Sequence, residues 1–183
     1  MAYPVLEYVA ARALPGYRYT HAYISDLGRP DSPLSHVMNT AFVVQGSLFL
    51  AGTVLLVRAT RSGPGGWFVG CAAANAIGNV VIAAVPSGPA GIGWLHVGGA
   101  VLAIVGGNTA ILAGHPVVSA ARWYRFSSIG IATVGLASFV VLAAATGAVP
   151  TVLPAAVWER TSVYTIIGWQ MLSALQLLRG ERD

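Results

Sequence analysis

The sequence predicts an all-α fold, a polytopic bundle of transmembrane helices. Two observations carry this prediction. Of the 183 residues, 56% are hydrophobic and only 9% are charged, with a mean hydropathy of +0.70. A typical soluble domain carries about 25% charged residues, so this chain has too few to clothe a soluble surface. The second observation is the stretch Ser62–Ala121, sixty residues without Asp, Glu, Lys or Arg. The same apolar content excludes disorder. A disulfide scaffold is excluded because Cys71 is the only cysteine.

A helix needs about 20 apolar residues to cross ~30 Å of hydrocarbon. The charge-free stretch therefore holds two spans, at about 66–85 and 92–112, divided by the helix-breaking run Pro86-Ser87-Gly88-Pro89-Ala90-Gly91. One span precedes them at about 34–57 and ends at Arg58. Two follow, at about 126–148 and 161–178. These five runs are continuously apolar and do not alternate, which disfavours a β-barrel. Gly98, Gly99, Gly106 and Gly107 give the 92–112 span small-residue faces and predict a central position for it.

Residues 1–33 read as an N-terminal interfacial segment and extracytoplasmic loop, residues 34–178 as the bundle, and residues 179–183 as a cytoplasmic tail. Met1–Leu14 is apolar enough for a helix, but Glu7 and Arg12 interrupt it and it is too short to span. It is an interfacial helix or the stub of a truncated first span. Five of the seven tyrosines lie in residues 1–33, and Trp67, Trp94, Trp123 and Trp158 fall near span ends. Both patterns suit a headgroup region.

All ten basic residues are arginine, a bias that fits GC-rich bacterial coding. They form no basic stripe, so nucleic acid is not an expected partner. Arg58, Arg61, Arg122, Arg125, Arg179 and Arg182 fall on one side of the five-span map, while Arg12, Arg18, Arg29 and Arg160 fall on the other. The positive-inside rule makes the first side cytoplasmic. The expectation is a bacterial cytoplasmic membrane protein with a cytoplasmic C-terminus.

On this map polar residues from five segments reach one depth near the outer side. They are Asp26, His36 with Asn39, Asn79, His96, and Glu159 with Arg160 and Tyr164. They suggest a ligand-binding pocket of Asp26, Asn39, His96, Glu159, Arg160 and Tyr164, with His96, Glu159 and Asp26 as candidate acid–base groups. Each also has a structural reading. Asp26 suits a turn or cap, Glu159 and Arg160 suit an interface, and Asn75 and Asn79 suit interhelical bonds. No His-x-x-x-His or Cys-x-x-Cys spacing is present, so no metal or cofactor is expected. Mid-span acids of the kind a proton or ion pathway needs are also absent from the five runs.

Five motifs together resemble a known family. They are Tyr-Ile-Ser-Asp-Leu-Gly at 23–28, Asn-Thr-Ala-Phe-Val-Val-Gln-Gly at 39–46, His-Val-Gly-Gly-Ala at 96–100, Gly-Gly-Asn at 106–108, and Glu-Arg-Thr-Ser-Val-Tyr at 159–164. The set resembles the bacterial multi-pass membrane family called domain of unknown function 998, over about residues 7–178. The resemblance implies a bundle of usually six spans, the first of which would end near Tyr8–Leu14 and is mostly absent here. It marks Asp26, Asn39, His96, Asn108, Glu159 and Arg160 as motif positions, but implies no activity. Three functions suit the chain. It is a binder of a lipid or small amphiphile at the outer end, a membrane-embedded hydrolase or transferase acting on a lipid or isoprenoid, or a subunit or assembly factor with a membrane-protein or like-chain partner.

Overall fold

Six α-helices and one 3-10 turn make up the computed structural model, which describes residues 2–60, 65–87, 92–147 and 149–180. The helices are α1 Ala2–Ala13, α2 Ser35–Thr60, α3 Gly65–Ala84, α4 Gly93–Val118, α5 Arg122–Thr146 and α6 Ala155–Gly180, with the turn at Ile24–Gly28. Consecutive helices from α2 to α6 run antiparallel. One end of the bundle, here the loop face, carries residues 14–34, the last turns of α3 and α5 and the first turns of α4 and α6. The opposite face carries the last turns of α2, α4 and α6 and the first turns of α3 and α5.

The expected spans reappear, most of them lengthened at one or both ends and α3 shifted by one residue. Four helices, α2 to α5, are long and apolar enough by length and composition to cross a membrane. The sequence reading gave five, and α6 is the difference. Its 26 residues, at 1.5 Å each, measure about 39 Å, so length is not the reason. Its hydropathy is lowered by Glu159, Arg160, Thr161, Ser162, Thr165, Gln170, Ser173 and Gln176. Several of these turn inward. Ser162 is fully buried, Ser173 shares a hydrogen bond with Tyr124 at 2.8 Å, and Asn108 donates to the Ser162 carbonyl at 2.9 Å.

The closest packing is between α3 and α4. A Cβ on Gly106 would lie 2.8 Å from the Asn75 nitrogen, and one on Gly99 would lie 2.8 Å from the Val81 side chain. On α3, Gly78 faces the backbone of Gly99 and Ala103. Gly107 packs on Ile166 of α6, so α4 is central, as its glycines predict. Gly98 departs from that expectation, with open space around it. Without side chains in the way, the α3 and α4 backbones approach and dispersion contacts multiply.

Two core clusters result. Toward the opposite face, Phe49, Phe68 and Trp169 stack edge to face at centroid distances of 6.0–6.3 Å. Toward the loop face, Tyr3, Ala10 and Ala11 of α1 pack with Ile24, Leu27, Met38, Phe42 and Ile167. These α1 residues recur at i, i+7 and i+8, one helical face. Pro4 is tolerated because it sits in the first turn. At 12 residues, α1 measures about 18 Å and covers only part of α2 and α6. Gly16, at φ +75°, supplies the left-handed turn that follows it. Trp67, Trp94 and Trp123 are exposed near helix ends, while Trp169 is buried.

Replacing Gly78 with Val should destabilise the folded protein by about 1–3 kcal/mol or more, the usual range for overpacking. Gly98→Val should be nearly neutral. Thermal unfolding of the two variants in one detergent checks this, and equal losses would contradict the packing described.

Candidate functional site

Arg160 sits in the second turn of α6, pointing at the segment before α2. It is 7% exposed, so its five donors need partners inside the protein. Nη1 donates to the carbonyls of Tyr19 at 2.5 Å, Ala22 at 2.7 Å and Ala156 at 3.3 Å. Nη2 donates to the Tyr17 hydroxyl. The rings of Tyr19 and Tyr17 lie 4.9 and 5.6 Å from the guanidinium carbon, within cation–π range. Nε faces Oε1 of Glu7 at 3.6 Å, an ion pair without a hydrogen bond. The other Glu7 oxygen accepts from the Tyr164 hydroxyl at 2.8 Å. The Tyr17 hydroxyl in turn donates a hydrogen bond to the Tyr23 carbonyl at 3.0 Å. Burial pushes the Tyr17 phenol well above its ordinary range, with Arg160 opposing, so the phenol stays protonated and available as a donor.

The neighbouring acids fasten the same segment. Oε2 of Glu159 accepts from the Ile24 nitrogen at 2.6 Å. Asp26 accepts from the Tyr23 nitrogen at 2.8 Å, capping its own turn. Asn39 donates to the Gly28 carbonyl at 3.0 Å. A Cβ on Gly28 would collide with that Asn39 amide, so glycine is what lets the turn settle on α2. Five of the six residues expected to bind a ligand, Asp26, Asn39, Glu159, Arg160 and Tyr164, are thus brought together. Each makes hydrogen bonds within the protein.

His96 lies elsewhere. Its Nδ1 donates to the Val85 carbonyl at 2.7 Å and closes the end of α3 onto α4. Since a carbonyl only accepts, the bond places the proton on Nδ1. The three candidate acid–base groups line different surfaces among the described residues. Glu159 borders an internal cavity, Asp26 borders an open hollow with Arg29 and Asp31, and His96 borders neither.

The internal cavity is small, about 50 Å³, and its polar lining is Tyr3, Ser25, Gln45, Asn75, Asn79 and Glu159. Asn75 donates to the Ala103 carbonyl at 2.7 Å, and Asn79 to the Asn75 carbonyl at 2.9 Å and to Gln45 at 3.3 Å. The bonds to Ala103 and Gln45 are the interhelical ones their structural reading expects, while that to Asn75 lies within α3. Two larger grooves lie on the outside of the bundle between α2 and α6. One, about 360 Å³, starts under α1 at Tyr3, Gln45 and Ile167. The other, about 320 Å³, continues past Gly52, Thr53 and Trp169. Both share Leu48, Gln170 and Ala174. Within them Nε2 of Gln170 and Oγ1 of Thr53 are buried without a hydrogen-bond partner.

Glu7, Tyr17 and Gln45 escaped the sequence reading. Glu7 registered only as an interruption. Its signal was there, because an acid shares the helical face of Tyr3, Ala10 and Ala11 and needs a buried cation. Tyr17 sits in a loop, where no periodicity marks it, and Gln45 is a lone amide in an apolar helix.

Long apolar helices packed through small residues and interhelical bonds define a polytopic membrane protein. The chain belongs to the family described as protein of unknown function (DUF998), whose model matches residues 2–176. Comparison with curated proteins and with solved structures found no match.

Arg160→Ala should destabilise the protein by about 3–5 kcal/mol, because it strands the Glu7 charge in the interior. The double variant Glu7→Gln/Arg160→Met should recover part of that loss. Faster tryptic cleavage at Arg18 in the single variant, slowed again in the double, would report release of the segment. Unchanged cleavage in Arg160→Ala would contradict this account.

Proposed function

We propose that this protein binds a lipid or other small amphiphile along the α2–α6 seam. The observation that carries the reading is that α1 fills the seam only near the loop face. Below α1 the two grooves form one slot, with apolar walls open to the bilayer and the unpartnered Gln170 and Thr53 within it. An alkyl chain satisfies the walls by area burial. An ester or hydroxyl oxygen satisfies Gln170, whose lone donor is costly to leave unmade. Nη1 and Nη2 of Arg160 donate within the protein and its Nε faces Glu7, so a headgroup gains little there. Asp26, Asn39, Glu159, Arg160 and Tyr164 then serve to hold residues 2–28 as the cover of the slot.

A second reading follows from Gly52 and Ala174 on opposite walls. Small residues admit a helix as well as a chain, which suits a subunit of a larger membrane complex. In either case we propose that the face bearing Arg58, Arg122, Arg125 and Arg179 is cytoplasmic, in a bacterial inner membrane. Arg61 and Arg182, which strengthen the same bias, lie outside the described residues.

Native mass spectrometry of the purified chain tests the slot. Wild type should retain one lipid class, and Ala174→Trp should lose it. Gln170→Leu, which removes a bond worth about 1 kcal/mol, should lower occupancy about five-fold. A lipid background unchanged by Ala174→Trp defeats the amphiphile reading, and a stoichiometric protein partner in its place favours the second. A reporter fused after Asp183 should be active in the cytoplasm, and periplasmic activity would reverse the orientation.

A further inference from the structure

An amphiphile lying in the slot has one polar end, and the slot itself decides where that end lies. Along α6 the lining runs from Ile167 to Leu177, and along α2 from Ala41 to Leu56. At 1.5 Å per residue these stretches measure about 15 and 22 Å. A whole hydrocarbon core is about 30 Å thick, so the slot is roughly one leaflet deep. The loop-face end is stopped by the first turns of α1, which contribute Ala2, Tyr3, Pro4 and Leu6 to the lining. Tyr3 packs there on Phe42 at a centroid distance of 6.0 Å. Arg160, buried beyond it, is turned to Glu7 and to the segment before α2.

At the other end the lining stops at Leu56 on α2 and Leu177 on α6. Each is followed two positions on by an exposed arginine, Arg58 and Arg179. Neither belongs to an ion pair among the described residues, where the two pairs are Arg29–Asp31 and Arg160–Glu7. Charge is divided between the two faces in the same sense. Among the described residues the acids are Glu7, Asp26, Asp31 and Glu159, in α1, the segment before α2 and the start of α6. The opposite face carries Arg58, Arg122, Arg125 and Arg179, all exposed, and no acid among the described residues. Arg61, Glu181, Arg182 and Asp183 lie outside them. Exposed arginines at the end of a membrane helix attract anionic headgroups, and a guanidinium can grip a phosphate through two parallel hydrogen bonds. A zwitterionic headgroup brings its own cation and gains less.

We propose that the slot takes an anionic phospholipid from the leaflet on the arginine face, with an acyl chain between α2 and α6 and its phosphate at the rim that carries Arg58 and Arg179. This rests on the amphiphile reading and adds to it the leaflet and the headgroup class. Gln170 and Arg179 stand nine residues apart on α6, about 14 Å along its axis. Two long side chains and a glycerol backbone together span that distance. One lipid can therefore meet Gln170 with an ester and Arg179 with its phosphate.

The test offers the full chain in detergent an equimolar mixture of phosphatidylglycerol and phosphatidylcholine with identical acyl chains, read by native mass spectrometry. Wild type should retain phosphatidylglycerol over phosphatidylcholine by about tenfold or more, the preference two arginines near an anionic headgroup give. Arg58→Gln/Arg179→Gln should bring the ratio near one while still retaining lipid. Arg12→Gln/Arg18→Gln, which removes the same charge from the loop face, should keep the wild-type ratio. Equal retention of the two lipids by wild type would overturn the headgroup assignment and leave the slot standing. So would a ratio that falls equally in both double variants, which marks a general charge effect. No retained lipid of either kind in wild type would defeat the slot reading and this proposal with it.

Discussion

A guanidinium inside an apolar bundle sets the terms for the loop face. Arg160 cannot shed its charge and, being 7% exposed, cannot reach bulk water. The chain before α2 is shaped to meet it. Glu7 supplies the counter-charge, the Tyr19 and Ala22 carbonyls accept, and Tyr17 and Tyr19 cover its faces. The 12 residues of α1 are too few for a stable isolated helix, and it is held by Glu7 on Arg160 and Tyr164 together with the apolar packing of Tyr3, Ala10 and Ala11. The ion pair alone is a weak stabiliser, since desolvation offsets much of the attraction. Its effect is to specify which segment covers α6 and in what register.

Much of the helical architecture was legible because it rests on composition and length. Charge-free runs, Pro-Gly breaks and small-residue faces each have one physical meaning in a bilayer, and α2 to α5 follow from them. The five expected spans and the four helices apolar enough to cross differ at α6. Hydropathy sums side chains without asking where they point, and in α6 Thr165 points at Asn108, Trp169 at Ser128 and Ser173 at Tyr124. The polar cluster at the loop face was legible as a depth, since five expected residues converge there. Its partners were not. Which atom Arg160 meets depends on the path of residues 14–24, and no periodicity constrains a loop. His96 shared the depth but bonds the Val85 carbonyl at the end of α3 and borders neither hollow, because depth along an axis does not say which neighbour a side chain meets.

The α3–α4 pair supplies the rigid part on which the rest is assembled. Gly78, Gly99 and Gly106 bring two backbones together, and Asn75 crosses the joint to the Ala103 carbonyl. On the other side Asn108 reaches both its own helix and Ser162 of α6, and accepts from Thr165. Buried amides of this kind add little energy each in membranes, about 0.6 kcal/mol on average. They fix rotation about the helix axes, which apolar contact alone leaves loose.

The inward polarity of α6 has a consequence for biogenesis. A segment entering the bilayer by itself would expose the Ser173 hydroxyl and the indole N–H of Trp169 to lipid. Within the fold that N–H donates to Ser128 at 2.9 Å, and Ser173 bonds Tyr124. Both partners lie on α5, the segment synthesised just before. Partitioning as an α5–α6 hairpin therefore hides the polar face at the moment of insertion, whereas sequential release would leave α6 at the interface. The order of translation and the order of hydrogen-bond satisfaction coincide, so the polar face of α6 is covered by its immediate predecessor in the chain.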